Sequence, residues 1–409
     1  MSKWEMVNLT DVVSEVITGE WGTECDECTV GTKVLRTTNF TNIGTINYDI
    51  VALRNIPASK LDKKKLKRHD IILEKSGGSD NQPVGRVVYF NNESEDIYLC
   101  NNFTQVLRIK QSTAFAKYVF LFLFYLYQNG TTELLQNKTT GIRNLQIKQY
   151  MSLEIPLPPL RVQQKIVDIL EKTSALIEKR KAQIDKLDLL IKSQFIEMFG
   201  DPVTNPKGWE KKPMGHYLSV LTDFSANGSY EYLDSSVVMF DEPNYALMIR
   251  TTDLERQDFL FNVKYICKEA YEVLGKSKLF GGEIIMNKIG SAGKVYLMPT
   301  LDYPASLGRN AFMFRYRENI NVIFVYYLLT SRYGNKEIAQ HVRGAVTKTI
   351  TKDAVRSIPV IVPPITIQNK FADFVQQVDE QKKLIRQSLK KLELKYKSLM
   401  QKCFRGDLF

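Results

Sequence analysis

Lysine and arginine recur beside glycine, serine, threonine and asparagine at four places in this chain. The stretches are Lys75-Ser76-Gly77-Gly78-Ser79, with Arg86 after it; Lys138-Thr139-Thr140-Gly141-Ile142-Arg143-Asn144; Lys288-Ile289-Gly290-Ser291-Ala292-Gly293-Lys294; and Arg343-Gly344-Ala345-Val346-Thr347-Lys348-Thr349. Glycine lets a backbone N–H come close to a phosphate, and Ser, Thr, Lys and Arg add donors. Arg and Asn also pair bidentately with guanine and adenine edges. This is the chemistry of nucleic-acid contact. Taken singly, each stretch reads equally as a tight turn with solvated charge. Recurrence in both halves of the chain favours DNA. The candidate contacts are Lys75, Ser76, Arg86, Lys138, Thr140, Arg143, Asn144, Lys288, Ser291, Lys294, Arg309, Arg343, Thr347 and Lys348.

Catalytic patterns are missing from the sequence. No GxxxxGK[ST] phosphate loop and no GxGxxG turn occur. Adenine methylation calls for an Asn/Asp-Pro-Pro-aromatic loop, and Asp201-Pro202-Val203-Thr204 and Asn205-Pro206-Lys207-Gly208 both fail at the second proline. Cys25-x-x-Cys28 is half of a zinc site without a second pair, so no metal is expected. His69, His216 and His341 are expected in loops, with no nucleophile beside them. These readings point away from an enzyme.

The bulk numbers agree with a polyanionic partner. Formal net charge is +11, while the apolar share of 44% and charged share of 25% are those of an ordinary globular protein. The longest apolar run, Tyr118–Tyr127, is too short to span a bilayer, which takes about 20 residues. No signal stretch is expected, and the five scattered cysteines suit a reducing cytoplasm. A length of 409 residues predicts two to three domains.

The elements that must position the loops come in two copies. Trp4-Glu5 returns as Trp209-Glu210, an offset of 205 (209 − 4). Arg36-Thr37-Thr38-Asn39 matches Arg250-Thr251-Thr252-Asp253, and Asp70–Lys75 matches Glu283–Lys288. Short strands are expected at Val34–Arg36, Asp70–Leu73, Arg86–Phe90 and Gln105–Ile109, with equivalents at Leu247–Arg250, Glu283–Met286, Lys294–Met298 and Ala311–Tyr316. Ala116–Gln128 and Val322–Tyr333 are expected to be helices. Lys60–Arg68 is a charge run whose plainest reading is a solvated face.

Leu160–Gly200 and Asn369–Gly406 read as two long helices, each spanning roughly 60 Å at about 1.5 Å per residue. Pro158-Pro159 and Pro363-Pro364 precede them, which suits a helix start. The expected pairing seam is Ile166, Ile169, Leu176, Ile184, Leu187 and Ile191 in the first. In the second it is Phe371, Phe374, Val378, Ile385, Leu389, Leu392 and Tyr396. A four-residue step from Arg180 to Ile184 predicts a stutter. The predicted divisions are 1–158, mixed domain; 159–208, long helix and a Pro/Gly-rich hinge; 209–362, second mixed domain; and 363–409, second long helix. The fold class is α+β, two mixed α/β domains separated by two long antiparallel helices in a coiled coil, with a pseudo-twofold internal repeat.

This order resembles the specificity subunit of type I restriction–modification enzymes, over essentially the whole chain. The carriers are Pro158-Pro159-Leu160-Arg161-Val162-Gln163, its echo Pro363-Pro364-Ile365-Thr366-Ile367-Gln368, and the junction Phe199–Trp209. The second copy lacks the earlier proline that Pro156 supplies in the first. The resemblance implies two target-recognition domains, each reading one half of a split duplex DNA sequence. It implies two methyltransferase subunits that use S-adenosylmethionine on adenine N6, and restriction/translocase subunits that use ATP and Mg. This chain itself would hold no cofactor, act in the cytoplasm in phage defence, and touch no membrane. Two other readings stay open: a specificity subunit of another methylation or defence complex, and a coiled-coil scaffold that binds protein.

Overall fold

The computed structural model describes residues 3–25, 31–79, 81–139 and 142–409; of Lys138 and Thr139 only the backbone is described. The chain divides into two units. The first holds Met1–Lys181 and Gln387–Phe409, the second Ala182–Arg386, so each long helix gives one half to each unit.

Both units fold their strands in the same way. In the first, an antiparallel sheet runs in the order Val13–Thr18, Thr104–Ile109, Ile71–Glu74, Val87–Tyr89. In the second the order is Leu218–Asp223, Ala311–Tyr316, Ile284–Asn287, Val295–Leu297. A second sheet in each unit contains one parallel pair, Thr32–Leu35 with Tyr98–Cys100 and Ala246–Ile249 with Ala305–Leu307. An ion pair also repeats. Arg108 meets Asp70 at 2.8 Å, and Arg315 meets Glu283 at 3.0 Å. The expected strands form within a residue or two of their predicted ends.

The helix Ala116–Gln128 forms as predicted. Val322–Tyr333 does not form as one piece. It stops at Thr330, because Ser331 is extended and its hydroxyl caps a new helix, Arg332–His341, by accepting from the Gly334 amide at 3.2 Å. His341 therefore ends a helix, and His216 lies in a 3-10 turn, Met214–His216; only His69 sits in a loop. The charge run Lys60–Arg68 begins within a short helix, Ala58–Lys64, where Lys60 and Lys64 both reach Glu20, at 3.1 and 2.8 Å.

The long helices run over Leu160–Phe199 and Ile365–Arg405, the second starting four residues before the expected Asn369. The glutamine of each Pro-Pro motif is fully buried. Gln163 accepts from the Phe115 amide at 2.9 Å and donates to the Pro158 carbonyl at 2.8 Å. Gln368 repeats this with the Asn321 amide at 2.9 Å and the Pro363 carbonyl at 2.7 Å. Phe115 and Asn321 are the N-caps of the domain helices, so each glutamine ties the start of a long helix to the start of a domain helix. Glycines close both helices in the left-handed region, Gly200 at φ 76° and Gly406 at φ 83°. The expected hinge after Gly200 is tied down. Trp209 donates its indole N–H to the Phe199 carbonyl at 2.8 Å, and Lys207 donates to the carbonyls of Glu197 and Met198.

The helices pair antiparallel within each unit. In the first, Ile166, Val167 and Leu170 join the core with Met400, Cys403 and Phe404. In the second, Ile191, Phe195 and Phe199 join the core with Phe371, Val375 and Val378. The expected stutter is absent. Buried and half-buried positions alternate in steps of three and four through Gln163, Ile166, Leu170, Thr173, Ile177, Arg180, Ile184, Leu187 and Ile191. They do the same through Gln368, Phe371, Val375, Val378, Lys382, Ile385, Leu389, Leu392 and Tyr396. Leu176, placed in the seam on sequence, is 51% exposed, and Ile177 takes its place. One residue turns about 100° around a helix, so an apolar neighbour off by one faces water. Ile169 and Phe374 are half-buried against the domain cores instead.

Lys382 places a buried charge in the seam, where the first copy has Ile177. It is buried and reaches Asp188 at 2.6 Å and Asp379 at 3.1 Å. Burial pulls its pKa down, but these carboxylates outweigh that and hold it above the usual lysine range. The charged lysine is therefore favoured in the folded chain, and its removal leaves Asp188 and Asp379, each about half exposed, without their cation. Lys382→Met is expected to lower the unfolding free energy, by on the order of 1 kcal/mol, in a denaturant titration of the full chain. An unchanged or higher denaturation midpoint would show that the pair does not stabilise the helices.

Candidate nucleic-acid interface

The predicted basic stretches meet in pairs. In the first unit, Lys75 and Ser76 donate their amides to the Phe103 carbonyl, and the Leu145 amide donates to the Lys75 carbonyl at 2.8 Å. Strand Ser76–Gly78 then pairs with Ile142–Leu145, setting Asn144 opposite Ser76 and Arg143 opposite Gly78. The Ser76 hydroxyl bonds the Asn144 side chain. Phe103 is 43% exposed and Ile142 50% exposed on this ladder. Thr140 lies outside the described residues, as do the side chain of Lys138 and all of Cys28.

The second unit repeats the backbone pattern. The Lys288 amide donates to the Asn310 carbonyl at 2.8 Å, and the Ile350 amide to the Lys288 carbonyl at 3.0 Å. The Gly290 amide donates to the Lys348 carbonyl at 3.0 Å, and Arg343 and Thr349 exchange both amide bonds, at 2.8 and 2.7 Å. Gly293 has to be glycine: its φ is 87° and a Cβ there would lie 2.4 Å from Ile338. From Arg343 to Lys348 every residue is exposed, and Val346 at the tip is 97% exposed. This loop offers two cations, a threonine and an apolar tip to a partner.

Other predicted residues are held by the protein itself. Arg86 is buried, bonded to Glu74 at 3.0 Å and to the carbonyls of Phe40 and Thr37 at 3.0 and 2.8 Å. Its charge braces the domain rather than facing outward. The counterpart of Glu74 is Asn287, and Lys294 turns outward to Glu255 at 3.5 Å. Ser291 donates to Glu255 at 3.2 Å and accepts from Asn287 at 2.7 Å. Arg309 bonds Asp234 at 2.7 Å and lies over the rings of Tyr230 and Phe224.

Sequence reasoning missed Asp223 and Lys352. Asp223 ends a strand and is 4% exposed, accepting from Lys288 at 2.9 Å, Lys352 at 2.8 Å and Ser225 at 2.8 Å. Burial pushes its carboxyl up, but the bonds from Lys352, Lys288 and Ser225 together hold it below the usual carboxylate range. Nothing in the spacing of these residues advertises the cluster. Among the described residues, no group of His, Cys, Asp and Glu is arranged to hold a metal, and no helix is long and apolar enough to cross a membrane.

The family model for the type I restriction modification DNA specificity domain matches residues 1–187 and 221–394. The chain belongs to this family. Its relatives include the type I restriction enzyme MjaVIII specificity subunit of Methanocaldococcus jannaschii, 24% identical over 302 residues and covering 70% of each chain. The putative MjaX specificity subunit of the same organism is 23% identical over 384 residues, covering 89% of this chain and 88% of the other. Solved structures share the fold. One is a chain from a study of complex assembly and conformational transition in the type I R-M system, with a TM-score of 0.58 at 16% identity over 99% of this chain and 98% of that one. Another is the S subunit from M. genitalium, with a TM-score of 0.53 at 15% identity over 98% and 96%. A specificity subunit is the non-catalytic member of its system. It binds DNA and acts with modification and restriction subunits.

Proposed function

We propose that this specificity subunit reads a bipartite, asymmetric DNA target, one half by each unit, with unspecified bases between. One observation carries this. The same ladder of backbone bonds, built on Lys75 and on Lys288, presents unlike side chains in the two units. A shared scaffold with different reading surfaces suits two half-sites of different sequence, about one helical turn, roughly 34 Å, apart. Two methyltransferase subunits dock on the long helices and methylate adenine N6 from S-adenosylmethionine. Restriction/translocase subunits using ATP and Mg complete the assembly in the cytoplasm. Residues 1–158 and 209–362 are the segments that carry the two specificities.

Methylome sequencing of cells expressing this chain with its modification partner tests the reading. The expected result is one split motif with unlike halves. Exchanging residues 209–362 for those of a relative should change one half and leave the other intact. A continuous or palindromic motif, or a change in both halves, would overturn it.

A further inference from the structure

Two ammonium groups converge on one buried carboxylate in the second unit. Lys288 donates to Oδ2 of Asp223 and Lys352 to Oδ1. The Asp223 side chain is 6% exposed, while those of Lys288 and Lys352 are 21% and 32% exposed. Each ammonium carries three N–H groups, and Asp223 takes one from each. The cluster keeps a net positive charge with spare donors on its accessible side. Lys288 belongs to the ladder that carries Arg343 and Lys348, through its carbonyl to Ile350.

We infer that Asp223 is a specificity-determining positioning residue, which fixes the Lys288 and Lys352 ammonium groups for the target duplex and cancels part of their attraction for any other DNA. The inference rests on the DNA-reading role proposed above. Loose lysines bind any phosphate, because the backbone charge of DNA is independent of sequence. A carboxylate beneath them removes one unit of that attraction. It also leaves the amines in one geometry, so only a backbone that matches it gains their full strength. The first unit supports this by contrast. Its strand Val13–Thr18 ends on Thr18, where the second unit's equivalent strand ends on Asp223, and Ile147 stands 205 positions before Lys352 (352 − 147). Lys75, with the same backbone bonds as Lys288, has no such carboxylate in the equivalent place. The cluster is a property of one reader and not of the shared scaffold.

Asp223→Asn is the test, made in the full chain with its methyltransferase partner. Affinity is measured for the target found by methylome sequencing and for a random duplex of equal length. Freeing one positive charge should tighten random binding by up to about eightfold near 0.1 M salt, from a slope of roughly 0.9 per phosphate. Target binding should gain less, so the ratio of target to random affinity falls several-fold. Asp223→Glu keeps the charge and should keep random binding at the wild-type level. An unchanged ratio in Asp223→Asn, or parallel losses on both duplexes, would overturn the inference. If that variant fails to fold, Lys352→Gln serves instead. It should weaken target binding more than random binding, and equal losses would overturn the inference. A wild-type complex that binds neither duplex would remove the DNA-reading role itself.

Discussion

Replacing Arg343 and Lys348 together by glutamate is expected to weaken duplex binding by about 60-fold near 0.1 M salt. Each cation neutralises one phosphate in this account of the loop. Two such contacts contribute roughly 1.8 to the slope of log affinity against log salt, and losing them costs that power of the salt concentration. The double variant should therefore also show a shallower slope, by about 1.8. Both side chains are exposed on a loop closed by the Arg343–Thr349 amide bonds, which the substitutions leave in place. Stability should change little, since surface substitutions are usually within about 0.5 kcal/mol. Fluorescence anisotropy across a salt series measures both quantities. If affinity and slope stay at wild-type values, the loop faces away from DNA. Arg86 makes the opposite control. It too lies in a predicted basic cluster, but its guanidinium is spent on Glu74, Phe40 and Thr37, so removing it should damage the first unit's fold before it changes the salt slope.

Arg86 also shows where the sequence stops being legible. A run of Lys, Arg, Gly and Ser marks a loop well, and the four stretches did turn out to be neighbours in pairs. The type of a residue does not say whether its charge faces water or a buried acid. Glu74 lies twelve positions before Arg86, beyond any local pattern. The Asp223 cluster is less legible still, since Lys352 lies 129 positions away in the chain. The long helices and their partnership could be read because apolar spacing and the 205 offset are one-dimensional signals. Their exact seam could not. Gln163, Gln368 and Lys382 are polar residues in buried places, and a pattern sought in apolar residues passes over all three while it takes in Leu176, one position off the seam. The buried glutamines are justified by partners that only the fold supplies, the amides of Phe115 and Asn321.

Phe371→Ala should be the most damaging single substitution in the helical pair. Phe371 is fully buried, with ring centroids of Phe195, Phe199 and Tyr327 each at 5.4 Å. It therefore joins three elements of the second unit at one point: the end of the helix Leu160–Phe199, the start of the helix Ile365–Arg405 and the domain helix Val322–Thr330. Removing the ring leaves a cavity that rigid neighbours cannot fill, a loss of about 3–5 kcal/mol. In a unit of this size that lowers the melting temperature by roughly 10 °C. Leu176→Ala provides the contrast, because the apolar pattern alone put both residues in the seam. Leu176 is half-exposed, and its truncation should cost within about 0.5 kcal/mol. Calorimetry of the two full-length variants separates the cases, and equal losses would return Leu176 to the seam. The loss at Phe371 should also reach function. Phe199 packs against Phe371, and its carbonyl holds the indole of Trp209, the residue that leads into the second domain. A variant that still folds below its lowered melting point should therefore lose DNA affinity while Arg343 and Lys348 remain intact, because the reading loop works only as firmly as the helices behind it are held.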